Sequence, residues 1–527
     1  MTDVTNSDVI IKLDSLVFNP GAPQYTINAL DNVELYGTGI ENNSGTTQLL
    51  VAGAFFFFGS ATAGDMVNFS AMGGDFFFED ASSAGSGTFA LVTGPGAPTY
   101  MFFDDNSTAG DATINATGAD IDFSDSATGG NATLSLTAAA SVEFPGSGNA
   151  EHMTGTCIGG NQEVSSQIDF EGFSSAGEGT FTAIGGSVRG EHGGLILFDG
   201  ISATADNATL VINGAMGAGL SRTYLLFTNT SNAGNANITA SGGAAGAKGG
   251  LIAFQEGSAG GTAAITLHGN AELDVSRHKT GGVTIGSLSG HGKVFLGKRP
   301  LIIGSNNQST TFAGVIQDGG LTGRTGGKLV KLGAGTLTLS GANTYTGGTT
   351  VSAGDLILQN ETGSGTGPGS VQVNAGTLGG KGAISGPVTI GTGSGSGAFL
   401  APSAAAKQPV ALSLANTLTF NSDATYTCAL QASKKKSAND EVVASGVTIT
   451  SGAQFNLVAK VQGKLKAGVS FTVISNTAST PISGTFANLA DGAILTVGNT
   501  KLQASYEGGD GNDLTLTVVT GQDAAGR

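Results

Sequence analysis

Charge, cysteine and long apolar runs are all scarce in this chain. Asp, Glu, Lys and Arg make up 12% of its 527 residues, about half the usual share in globular domains. The two cysteines, Cys157 and Cys428, lie far apart, so they form no disulfide framework, and no spacing suits a metal cluster. No run reaches the ~18 apolar residues of a membrane helix, so no membrane span is expected within this chain. Residues Met1–Asp8 are polar and no apolar segment follows them, which reads as the lack of a secretory signal. Basic residues are scarcest of all: before Arg189 there is only Lys12, and the formal net charge is −17. Nucleic acid and anionic lipid both require a basic surface, so neither is expected as a partner. Acidity of this kind keeps an exposed β surface soluble and unassociated, and a monomer is expected.

Glycine, by contrast, supplies 88 residues. In a helix interior it costs ~1 kcal/mol against alanine, so long helices are not expected. The content of Thr, Val, Ile and Phe is too high for a disordered chain.

One frame recurs through the first half. Phe57, Phe78, Phe103, Phe123, Phe144, Phe170, Phe198, Phe227 and Phe254 each follow, two residues on, an apolar side chain: Phe55, Phe76, Met101, Ile121, Val142, Ile168, Ile196, Leu225 and Ile252. Seven residues after the phenylalanine comes glycine in seven of nine copies, Glu151 and Ala205 being the exceptions. An apolar residue eleven on, such as Ile114, belongs to a second short strand, as in Asp111–Ile114 and Asn131–Leu136; Phe69 and Leu210 come one place late, and the Phe144 copy is degenerate. Intervals between anchors are 21, 25, 20, 21, 26, 28, 29 and 27 residues. A period of 20–30 residues marks a supersecondary unit stacked on its neighbours. Period-two alternation makes each copy a strand with one buried face. Strand–turn–strand units repeated in one direction stack most simply as an all-β, right-handed parallel β-helix (solenoid). Like positions then lie ~4.8 Å apart, and the nine phenylalanines form one internal ladder. A β-sandwich array would not need one residue type at one register.

The chain divides on this reading into four parts. Residues 1–50 form an N-terminal cap and first coils, and 51–270 the Phe-ladder β-helix. Residues 271–404 continue the helix with a different lining, and 405–527 form a β-rich C-terminal capping region, richer in charge. The Gly/Ser-rich run 363–403 reads as coil turns rather than a hinge.

Residues 331–356 read KLGAGTLTLSGANTYTGGTTVSAGDL. This resembles the autotransporter-associated β-strand repeat almost throughout. The cores Ser107–Ile114, Ala127–Leu134 and Ser231–Thr239, the run Thr284–Gly320 and the end Ala487–Val518 also look like passenger regions of that family. The resemblance implies a bacterial protein exported to the cell surface or outside the cell, with a β-helical passenger and a C-terminal region that helps nucleate folding. The family's N-terminal signal and C-terminal membrane barrel are not seen in this sequence.

Chemistry is thinly represented. Enzymes on β-helices gather carboxylates and a basic residue in one groove. The carboxylates Glu79–Asp80, Asp104–Asp105 and Asp120–Asp122–Asp125 have no lysine or arginine near them, so a non-enzymatic chain is expected. The histidines His152, His192, His268, His278 and His291 form no H-E-x-x-H motif; Glu151–His152 and Glu191–His192 read as surface pairs. Gly508–Asp513 resembles a single calcium-binding nonapeptide but stands without further copies, and reads as a polar turn. The Lys434–Lys435–Lys436 cluster reads as a solvated loop. Two residues after the ladder phenylalanine come Asp80, Asp105 and Asp125 in consecutive copies. Stacked coils would align these carboxylates as a weak Ca2+ site, the one cofactor in view. The expected role is that of a structural or adhesive surface protein, its partner a surface glycan or protein. The alternatives are a carbohydrate-active β-helix enzyme and a calcium-dependent extracellular matrix protein.

Overall fold

The nine ladder phenylalanines stack one above the next. In the computed structural model their successive ring centres lie 4.6, 4.8, 4.5, 4.7, 4.8, 4.7, 4.8 and 4.9 Å apart, with ring planes within 3 to 11° of parallel. The structure describes residues 10–160, 164–186, 192–217, 219–279, 281–395, 397–404, 406, 408–433 and 436–520. Met1–Val9, Arg189, Glu191, Lys434 and Lys435 lie outside the described residues. The chain falls into two compact units, Met1–Thr280 and Gly281–Arg527, and each is a parallel β-solenoid.

The first unit is built as the frame requires. Strands Asp120–Phe123, Ser141–Phe144, Gln167–Glu171, Leu195–Gly200, Tyr224–Asn229 and Leu251–Phe254 pair in parallel, phenylalanine on phenylalanine from Phe144 to Phe254. The second strand of each coil forms its own parallel stack, Thr113–Thr117, Thr133–Thr137, Thr154–Ile158, Thr180–Ile184, Thr209–Ile212, Asn237–Ala240 and Ala264–Leu267. It begins about two residues later than the sequence suggests, because the left-handed Gly110 is followed by a turn in which Ala112 N–H donates to Ala109 O. A third column, unforeseen in the sequence, runs as single bridges from Thr62 through Ser83, Thr108, Thr128, Asn149, Ser175, Thr204 and Asn232 to Ala259. The first coils differ: Thr26–Asn42, Gln48–Phe57 and Val67–Phe78 are long strands that serve two columns, with a register shift in the middle.

Glycine seven residues after the phenylalanine is explained by its backbone. Gly85, Gly110 and Gly130 have φ of +61°, +58° and +58°, a region that side chains enter only with strain. The two exceptions keep the conformation. Glu151 itself holds φ +51°, and in the longer Phe198 coil Asp206 takes the left-handed turn one place on, at +42°. The degenerate Phe144 copy places Gly155 between Leu134 and Phe181. The Phe181 ring fills the gap, so closely that a Cβ on Gly155 would come within 2.8 Å of it.

In the second unit one stack runs through Val283–Ile285, Pro300–Ile303, Lys328–Lys331, Thr349–Val351, Val371–Val373, Val388–Ile390, Leu418–Phe420 and Val447–Ile449, all parallel. The Gly/Ser-rich run is threaded into it as coil turns. The parallel order ends at Ser470–Asn476, which pairs antiparallel with Asp513–Val519; Thr500–Gly508 and Ile494–Val497 continue the antiparallel order. From there the sheet continues antiparallel and not as further parallel coils. Helix is limited, among the described residues, to two 3-10 turns, Ala244–Gly246 and Gly320–Thr322. No helix there is long and apolar enough to cross a membrane.

Candidate functional site

The alternation that points each ladder phenylalanine inward points its chain neighbours outward. The residue just before it reads Phe56, Phe77, Phe102, Asp122, Glu143, Asp169, Leu197, Leu226 and Ala253 up the stack, each in register with the next. The inner column keeps one residue type throughout. The outer column changes from aromatic to acidic to aliphatic.

Aromatic rings dominate the lower coils. Phe56 stacks on Phe77 at 4.5 Å and Phe77 on Phe102 at 5.2 Å. Phe58 joins from the adjoining outer column, 6.2 Å from Phe56, with Tyr36 stacked 4.8 Å beneath it, and Tyr100 lies 5.6 Å from Phe102. The six rings form one continuous partly exposed ribbon. At its foot the Lys12 ammonium makes an ion pair with Glu34 at 2.8 Å and lies 5.6 Å from the centre of the Tyr36 ring. Tyr36 Oη donates to the same Glu34 carboxylate at 2.6 Å. Hydrogen bonds from Lys12 and Tyr36 hold the Glu34 carboxyl below its ordinary range.

Above and beside the rings lie carboxylates with, among the described residues, no lysine or arginine paired to them. Burial, then the charge of Asp104, raises Glu79; burial, then Asp122, raises Asp104. Asp122, Glu143 and Asp169 follow in consecutive coils. All three carboxyls are raised, chiefly by burial, and Glu143 further by Glu171. Asp169 is the extreme: it is 6% exposed, its Oδ1 has no hydrogen-bond partner, and burial, then Glu171, Glu143 and Asp199, push it up to about 7. Sequence reasoning singled out Asp104 and Asp122 but missed Glu143 and Asp169. Reading the position before each phenylalanine up the frame would have found both.

The aspartates two residues after the phenylalanine occupy successive equivalent turns and are exposed. Their backbones explain the residue type: Asp80, Asp105 and Asp125 hold φ of +60°, +57° and +51°, and other copies place Gly59, Gly146, Gly172 and Asn229 there, also left-handed. Asp and Asn tolerate that region best after glycine. Their carboxylates also serve the coil beneath: Gly59 N–H donates to Asp80 Oδ2 at 2.9 Å, and Asp80 N–H to Asp105 Oδ2 at 3.2 Å. Among the described residues no three His, Cys, Asp or Glu side chains are grouped to hold a metal ion.

The remaining candidates resolve individually. His152 pairs with Glu178, at 3.5 Å, rather than with its neighbour Glu151. Gly508–Asp513 is a hairpin turn, with Gly511 N–H donating to Gly508 O and Asp513 Oδ1 accepting from Asn476 N–H. Cys157 and Cys428 are free and buried, and burial pushes the Cys157 thiol up to about 12. Lys331, read from the sequence only as part of a motif, proves to be a buried lysine. Its ammonium donates to Leu332 O, Gly333 O and Ala353 O at 2.7, 2.8 and 3.1 Å, tying one coil to the next, and burial draws it down to about 8.

No curated protein sequence matches the chain. Among solved structures it is similar to the crystal structure of the Haemophilus influenzae Hap adhesin, at 11% identity and a TM-score of 0.31, over 96% of this chain and 63% of that one. The chain thus spans less than two thirds of that protein's length, and a likeness at this level says nothing of what it binds. The resemblance read from Lys331–Leu356 rests on a family model: residues 329–358, a small part of the chain, match the one described as the passenger-associated-transport-repeat.

Proposed function

We propose that the chain is a passenger-type β-solenoid displayed at the bacterial surface, where it acts as a structural or adhesive element without catalysis. The observation that carries this reading is the passenger-associated-transport-repeat at 329–358, set within continuous parallel coils. A solenoid grows by adding coils and so presents a long, regular outer surface, which suits display better than an enclosed cavity does. The non-catalytic reading has its own support. Asp169, the carboxyl raised furthest on the outer face, is 6% exposed and so poorly placed to protonate a substrate.

The test is surface detection of the natural protein in its own cells. Antibody labelling of intact cells, abolished by brief external protease treatment, is the expected result, together with loss of attachment or of surface-layer integrity on deletion. Labelling that requires broken cells would overturn the proposal.

A further inference from the structure

We propose that the ribbon of stacked rings on the first coils is a docking surface for a lysine- or arginine-rich peptide segment of a partner protein. The core of the surface is Phe56, Phe58, Phe77 and Phe102, with Glu79 and Asp104 beside them. It rests on the surface reading only for where the partner is met; the binding itself is a property of the folded chain.

Three observations carry it. First, a solenoid needs only its inner column to be apolar, yet these four phenylalanines face outward in a continuous stack, with ring centres 6.2, 4.5 and 5.2 Å apart from Phe58 to Phe102. Second, the foot of the ribbon already shows what its chemistry accepts. There the chain's own Lys12 ammonium pairs with Glu34 and lies at the hydroxyl end of Tyr36, 3.5 Å from Oη and 5.6 Å from the ring centre. An aromatic face attracts a cation through its quadrupole, and a flanking carboxylate supplies the counter-charge. Third, the same combination recurs one and two coils higher with no lysine or arginine paired to it among the described residues. In the adjoining outer column Phe58 is followed by Glu79 and then Asp104, and no lysine or arginine occurs between Lys12 and Arg189. Burial, then the charge of Asp104 on Glu79 and of Asp122 on Asp104, holds both carboxyls above their ordinary range, and an incoming ammonium or guanidinium would offset the repulsive part. Charge complementarity thus selects a cationic occupant, and the flat rings favour side chains with long apolar stems.

The experiment uses the full chain and a fluorescently labelled oligoarginine peptide, with binding read by anisotropy. A neutral glycine–serine peptide and a labelled neutral oligosaccharide serve as comparison probes. Three double variants are compared with the natural chain: Phe77→Ser with Phe102→Ser, Glu79→Gln with Asp104→Asn, and Glu361→Gln with Glu507→Gln. The last removes equal charge from exposed positions in the other unit. Circular dichroism confirms that each is folded, and the two isosteric carboxylate changes keep the test open if the phenylalanine pair unfolds. The expected result is binding of oligoarginine but not of the neutral peptide, weakened at least tenfold by either ribbon variant and unchanged by the distant one. An equal loss in the distant variant means attraction to net charge alone and overturns the proposal. So does unaltered binding in the ribbon variants. Preference for the oligosaccharide, lost with the phenylalanines but insensitive to Glu79 and Asp104, also overturns it and assigns the rings to a glycan instead.

Discussion

Asp169→Asn replaces a carboxyl that the fold keeps almost out of water by an uncharged side chain of the same shape. The carboxyl is raised from 3.8 to about 7 by burial and by Glu171, Glu143 and Asp199. Well below pH 4 it is protonated whether the chain is folded or not, and it contributes nothing to the pH dependence. Between pH 4 and 7 the unfolded chain gives up the proton while the folded chain retains it, so stability falls as pH rises. Above pH 8 the loss is complete. A shift of about three units at 1.36 kcal/mol each sets the penalty at roughly 4 kcal/mol. Asparagine escapes it but buries an amide whose hydrogen bonds are incompletely met, at about 1–3 kcal/mol. Because Asp169 Oδ1 accepts no hydrogen bond, no contact is lost at that atom.

The variant should therefore be more stable than the natural chain by about 1–3 kcal/mol at pH 8, and equal or less stable at pH 4. Urea unfolding of both proteins at matched pH values from 4 to 9, followed by circular dichroism, gives the difference. Taking the difference matters, because Asp122, Glu143, Glu79 and Asp104 are raised as well and lower the stability of both proteins as pH rises. A difference that stays flat across that range would show that Asp169 ionises as freely in the folded chain as in the unfolded one, and the burial argument would fail.

Phe123 lies fully buried between Phe103 and Phe144, at 4.5 and 4.7 Å. Phe123→Ala should cost ~3–5 kcal/mol in the same unfolding assay, whereas the outward Phe102→Ser should cost under ~1 kcal/mol; equal losses would mean the register is wrong. Lys331→Met should cost about 2–4 kcal/mol by leaving three carbonyls without their donor, and a thermal midpoint unchanged from the natural chain would refute that. For the Asp80, Asp105 and Asp125 column we propose weak calcium binding: millimolar calcium, but not magnesium, should raise the melting temperature, and Asp105→Asn should abolish the shift. No calcium-specific shift, or the same shift in the variant, would leave these aspartates as turn residues alone.

The inner half of the fold was legible because stacking makes each coil impose its register on the next. One phenylalanine at one phase, repeated nine times, admits few other arrangements, and the ladder follows in register. The third column was illegible for the opposite reason. It consists of single bridges between small residues such as Ser83, Thr108 and Asn149, and a bridge of one residue leaves no alternation to read. The aspartate column was legible as a pattern but not as a cause. Alignment of like charges suggested a ligand, whereas the left-handed backbone at Asp80, Asp105 and Asp125 accounts for the residue type without one. Lys331 was hidden because a lysine between Val330 and Leu332 reads as an exposed strand position, and only the fold shows carbonyls converging on it.

The outer column escapes the constraint that fixes the inner one, and this has a consequence for how such a chain can carry function. Removing a ring from the ladder opens a cavity facing two coils, and the cost falls on both. Exchanging a half-exposed residue one place earlier changes contacts that water can replace, at a cost within about 0.5–1 kcal/mol. Phe102, Asp122 and Glu143 occupy the same position in consecutive coils although they differ in charge, size and polarity, while Phe103, Phe123 and Phe144 beside them do not vary. Stability is thus written in one phase of the alternation and surface chemistry in the other. The aromatic ribbon and the carboxylate ladder can each be altered without the other and without the core, and the substitutions argued above separate the two.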